Sequence, residues 1–99
     1  MMNLQEFLEQ TGLPVAYHHY ENPPKLPYVV YLFNDSDNFG ADDRVYSKAD
    51  DYDVELYSDI KDPVTEKILE DLFDEYDIYY EKSEEWIESE KMYEVIYEI

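Results

Sequence analysis

Cysteine is absent from this 99-residue chain, which excludes a disulfide scaffold, thiolate metal sites and cysteine nucleophiles. Glycine occurs only at Gly12 and Gly40, so there is no glycine-rich phosphate loop. Positive charge is scarce: 7 Lys plus Arg stand against 26 Asp plus Glu, for a formal charge of −19. A chain with a pI near 4.1 repels nucleic acid and anionic membranes. No apolar run approaches the roughly 20 residues that span a bilayer. The start, Met1-Met2-Asn3-Leu4-Gln5, lacks the basic region of a signal peptide. The chain therefore reads as soluble, made in the cytoplasm, with no membrane partner.

What is present argues for a folded protein. The hydrophobic fraction is 44 %, with 12 Tyr, 4 Phe and 1 Trp, whereas disordered acidic chains are poor in aromatics. The length suits a single domain over residues 1–99. The charge is uneven. Residues 1–33 hold Glu6, Glu9 and Glu21 against Lys25, a net of −2, so residues 34–99 carry the remaining −17.

Residues 3–11 read as a short helix: Asn3 caps it, Glu6 takes the capping-box position, and Leu4, Phe7 and Leu8 recur at helical spacing. Gly12 supplies the left-handed stop, and Pro14 forbids continuation. Val15–Tyr20 alternates like a strand and ends at Asn22-Pro23-Pro24. The run Tyr28–Phe33 predicts a central strand covered on both faces. Residues 34–43 form a polar loop. Val45–Ser47 and Tyr52–Tyr57 predict a hairpin turning near Ala49-Asp50, with Tyr52, Val54 and Leu56 on one face and Asp53, Glu55 and Tyr57 on the other. Asp62-Pro63 opens a second helix running to about Tyr76, with Val64, Ile68, Leu69, Leu72, Phe73 and Tyr76 as its apolar stripe. Ile78–Lys82 and Met92–Ile99 predict strands, the latter an edge that Glu94 and Glu98 would protect. The order describes an α+β domain, a mainly antiparallel sheet with two helices packed on one face.

Motifs that carry chemistry are few. His18 and His19, as strand neighbours, would point to opposite faces and could not jointly grip a metal. No serine lies in a G-x-S-x-G setting. Asp35, Asp37 and Gly40 match positions one, three and six of a calcium loop, but Phe39 and Tyr46 stand where oxygen ligands are needed. That leaves at most a weak, adventitious cation site. Adjacent acids such as Asp42-Asp43 and Glu84-Glu85 read as a solvated charged face. No enzyme, metal or cofactor is expected. The tyrosines exceed what a small core can hide, and tyrosine is enriched at protein contacts.

Three stretches carry a resemblance: Asn38-Phe39-Gly40-Ala41-Asp42; Asp53–Asp59 followed by Lys61-Asp62-Pro63; and Tyr80–Ile87 with Tyr93–Glu98. They look like small tail-component proteins of Gram-positive siphophages and prophages, similar to the tail terminator (tail completion) family. The resemblance covers the chain from about Val15 onward. It implies a subunit that assembles as a homo-oligomeric ring at the head-proximal end of the tail tube. Its neighbours would be tail-tube and head-completion proteins, and its place the virion tail.

On that reading a negative lumen lets DNA pass without holding it. The polar loop is the expected contact with a partner, through Asp35, Asp37, Asn38, Phe39 and Asp42. A second reading, from charge alone, is a DNA mimic that presents carboxylates to a host DNA-binding enzyme. A third, an acid/base enzyme, rests only on the number of carboxylates.

Overall fold

The structure, a computed structural model, describes residues 2–36 and 50–99. The chain runs α1 (Leu4–Glu9), β1 (Val15–Tyr17), β2 (Tyr28–Ser36), β3 (Asp50–Ser58), α2 (Pro63–Glu75), β4 (Glu81–Ile87) and β5 (Met92–Glu98). The strands form one sheet in the order β1-β2-β3-β5-β4. β1 runs parallel to β2, and the other neighbouring pairs are antiparallel. Both helices lie on one face, as the α+β reading expects.

Local chemistry sets the helix ends. Asn3 Oδ1 accepts the Glu6 N–H at 2.8 Å, and Glu6 Oε1 accepts the Asn3 N–H at 3.3 Å, a reciprocal capping box. Gly12 takes φ of +85°, a conformation open to glycine at little cost. The Gln5 side chain then donates to the Val15 carbonyl at 3.0 Å, which ties α1 to β1. At α2, Asp62 accepts the Thr65 N–H at 3.2 Å, and Pro63 occupies the first helical position. The helix closes where the Ile78 N–H donates to the Phe73 carbonyl at 2.8 Å across a left-handed Asp77.

The core lies between the helices and one sheet face. Leu8, Leu69 and Phe73 from the helices meet Val29, Val54, Leu56, Val95 and Tyr97 from the sheet, all of them fully or almost fully buried. Each large aliphatic or aromatic side chain there contributes on the order of 1.5–3 kcal/mol. Phe7 joins the two helices, with its ring 6.3 Å from Phe73 and edge-on to Tyr76 at 5.1 Å.

The buried arc of α2 is rotated from the expected stripe. Leu69, Leu72 and Phe73 are buried, but Val64, Ile68 and Tyr76 are exposed, and Thr65 and Glu66 are buried instead. Glu66 is accommodated because two cations reach it: Lys61 Nζ at 2.8 Å and Lys82 Nζ, from β4, at 2.9 Å. Lys82 also contacts Glu70 at 2.7 Å, and Glu70 accepts the Tyr97 hydroxyl at 2.7 Å. Burial opposes ionisation of Glu66, yet the hydrogen bonds from Lys61 and Lys82 prevail and hold it below the usual carboxylate range.

Several strand expectations are corrected. β1 ends at Tyr17 rather than Tyr20, because His18 turns out of the extended conformation. β2 is interior, but β3 holds the middle of the sheet. β2 is buried on both faces only in its first half, at Val29 and Val30, and it continues through Asn34–Ser36, which the sequence reads as loop. Asp50 belongs to β3, not to a turn. Residues 53–57 pair with β2 on one side and β5 on the other, and Val45–Ser47, the other strand of the expected hairpin, lies outside the described residues.

β4 begins at Glu81 and takes in Trp86-Ile87, while Ile78–Tyr80 form no strand. Tyr80 instead packs beside Phe73 and Tyr97. β5 is interior, and β4 is the edge that bears the acids.

Candidate functional site

The helices cover one face of the sheet, and strand alternation sends the other side chains to the opposite face. In β3 these are Asp53, Glu55 and Tyr57, as the sequence predicts. Register aligns them with Glu98, Ile96 and Glu94 of β5, and those with Glu81, Ser83 and Glu85 of β4. β2 adds Tyr28, Val30 and Leu32. The result is a face with six carboxylates on three adjacent strands and no lysine or arginine among these positions. Neighbouring strands lie about 4.8 Å apart, and like charges directly opposite one another destabilise a sheet. The rows Asp53–Glu98–Glu81 and Glu94–Glu85 are such placements.

The centre of the face relieves part of this repulsion. The Tyr57 hydroxyl stands 2.8 Å from Glu55 Oε1 and 3.1 Å from Glu94 Oε2. With one hydrogen it can donate to only one of them, so a proton on Glu55 completes the bridge. Burial pushes the Glu55 carboxyl up to about 7, and the charges of Glu94 and Asp53 add to this, against donation from Tyr57. The same burial, with the two acids, raises the Tyr57 hydroxyl and keeps it neutral. The bridge can hold one proton near neutrality. It presents no nucleophile.

Two grooves flank the sheet. One, of about 270 Å³, lies between the turn after β1 and the β4–β5 turn, and is lined by His18, His19, Tyr28, Tyr57, Glu90 and Met92. The other, of about 570 Å³, is apolar and lined by Met2, Phe7, Tyr52, Tyr76, Ile78 and Ile99. Next to it runs a chain of rings: Tyr17 edge-on to Tyr31 at 5.1 Å, Tyr31 to Tyr52 at 6.3 Å, and Tyr52 to Phe33 at 5.9 Å. Tyr17, Phe33 and Tyr76 are each more than two-fifths exposed, so part of the aromatic surplus does stand at the surface.

Of the expected contact residues, Asp37, Asn38, Phe39 and Asp42 lie outside the described residues, as does the remainder of the calcium-like loop. The backbone of Asp35 pairs with Asp51 beyond an irregularity in the β2–β3 register. Among the described residues no group of three or more His, Asp or Glu side chains stands in metal-holding geometry, and no helix is long and apolar enough to cross a membrane. The Glu55–Tyr57–Glu94 bridge escaped the sequence. The shared face of Glu55 and Tyr57 was legible, but the cross-strand partner was not. Glu66 had a signal, since it lies at i, i+3, i+7 with Leu69 and Phe73.

No family model matches the chain, and no curated protein or solved structure matches it either.

Proposed function

We propose that the protein is a structural subunit of a phage tail, a tail terminator or completion protein that forms a ring at the head-proximal end of the tube. The observation that carries this reading is the helix-free sheet face, with carboxylates on three neighbouring strands and no cation among them. A ring lined by such faces repels phosphates at short range and lets DNA pass without holding it. The exposed aromatic run and the apolar groove are surfaces of the kind that contacts between subunits, or with tail-tube and head-completion proteins, require. The sequence resemblance points the same way, and none of these features calls for catalysis.

Light scattering behind a sizing column, at low and high salt, tests the reading. A species several times 12.0 kDa, favoured by salt and showing a central hole by electron microscopy, is the expected result. Assembly that weakens as salt rises would count against the repulsion between acidic subunits.

The same carboxylate face favours one other reading, a DNA mimic that occupies a host DNA-binding enzyme. A mimic stays monomeric or dimeric at every salt concentration. It also competes with duplex DNA for its target, an interaction that salt weakens steeply.

A further inference from the structure

The turn after β1 does what strand geometry forbids. Consecutive side chains on a strand point to opposite faces, yet His18 Nδ1 lies 3.1 Å from His19 Nδ1. The backbone explains how. The His18 N–H donates to the Tyr31 carbonyl at 2.7 Å, the last bond of the β1–β2 pairing, and the His19 N–H then turns back to the Tyr17 carbonyl at 2.8 Å. A bond from residue i+2 to residue i with a positive φ at its centre, here +69° at His18, is the rare and strained form of γ-turn. A non-glycine residue in the left-handed region costs about 1–2 kcal/mol. Such strain at two adjacent, exposed imidazoles is a pointer to function.

We propose that His18 and His19 form a bidentate site for a divalent transition-metal ion, with Cu²⁺ bound ahead of Ni²⁺ and Zn²⁺. Two imidazole nitrogens 3.1 Å apart, each about 2.0–2.1 Å from a common ion, subtend an angle of about 100° at it. That bite lies between the right angle of tetragonal Cu²⁺ and the tetrahedral angle of Zn²⁺. Without an ion, one shared proton can hold the pair, Nδ1–H to Nδ1. Both rings are exposed, so a small rotation turns both lone pairs toward one point.

No third His, Asp or Glu among the described residues stands in ligating geometry, so water completes the coordination shell, with room for it in the 270 Å³ groove alongside. Two imidazoles without an oxygen cage select against Ca²⁺ and Mg²⁺, and the divalent series places Cu²⁺ first. The charge of −19 raises the local concentration of any cation. This site stands apart from the tail reading and does not depend on it.

The test titrates the full chain with Cu²⁺ in excess Mg²⁺, which saturates adventitious carboxylates, and follows binding by calorimetry and electron paramagnetic resonance. One ion per chain is expected, with hyperfine coupling from two nitrogens. His18→Gln and His19→Gln should each weaken binding by at least about tenfold, the lower end of what loss of even an outer-shell partner costs, with the circular dichroism unchanged. A His18→Gln/His19→Gln protein that binds Cu²⁺ as tightly as the wild type overturns the proposal. A second measurement needs no variant. Substoichiometric Cu²⁺ should broaden the imidazole proton resonances of both histidines first, and broadening confined to carboxylate-bearing residues overturns the proposal equally.

Discussion

The two faces of the sheet solve the same problem in opposite ways. On the helix side, Glu66 is almost fully buried and stays ionised because Lys61 and Lys82 both reach it. On the bare side, Glu55 is half-buried with no lysine near it on the sheet, and its environment favours the protonated acid instead. One carboxyl is stabilised by gaining cations, the other by keeping its proton. The pH dependences therefore oppose each other. The folded value of Glu66 is depressed, so its contribution is present above the ordinary carboxylate range and fades as pH falls through the folded value. The folded value of Glu55 is raised, so its contribution is present below the ordinary 4.5 and fades as pH rises through about 7. The state of a carboxylate in this fold is thus defined by the side of the sheet it stands on.

Truncation should break the symmetry between the faces most strongly. Leu56→Ala, fully buried on the helix side, should cost about 2–5 kcal/mol in chemical denaturation, and Ile96→Ala, only part-buried on the opposite side, clearly less. Equal costs would mean that the helix-free face is packed at Ile96 as it is at Val30.

Lys82→Met should come next. Among the described residues it leaves Glu66 with one cation and Glu70 with none, and it should cost about 1–3 kcal/mol at neutral pH, discounted because Lys82 is itself partly exposed. The loss should shrink in acid, where the carboxylates are neutralised.

Glu55→Gln should leave stability unchanged near pH 5 and raise it by about 1–3 kcal/mol near pH 8, since an amide keeps a hydrogen for the bridge without a charge. A variant with the pH profile of the wild type would remove Glu55 as the source of that slope. The smallest effect belongs to Glu98→Lys, which places a cation between Asp53 and Glu81. A gain of a few tenths to about 1 kcal/mol is expected, and it should vanish in high salt.

Features that local chemistry determines were legible in the sequence. Asn3 with Glu6, Gly12, and Asp62 with Pro63 mark helix boundaries through hydrogen bonds spanning only a few residues, and the alternation in Asp53–Tyr57 assigns each side chain to a face. What was not legible depends on partners distant in sequence. Glu66 has the helical spacing of a buried position, but one of the two lysines that make its burial tolerable, Lys82, lies sixteen positions away on another strand. Met92–Ile99 looked like an edge because nothing local says that β5 inserts between β3 and β4. At the bare face the acids of β3 could be read, but their alignment with Glu94 and Glu98 could not. The histidine pair failed for a different reason. A left-handed residue after a three-residue strand leaves no compositional mark when that residue is not glycine.

The strand order also has a kinetic consequence. β2 with β3, and β4 with β5, are antiparallel neighbours consecutive in sequence or separated only by a short turn, whereas β3 meets β5 across residues as far apart as Asp53 and Glu98. The sheet is thus two local ribbons sewn along one seam, with α2 between them in the chain and Leu69 and Phe73 in the core with the seam's Val54, Leu56, Val95 and Tyr97. Loop-closure entropy must be overcome before those apolar contacts can offset it, so closing the seam is the expected barrier to folding. Amides along β3 and β5 that bond across it should gain protection together and last in pulse-labelled hydrogen exchange.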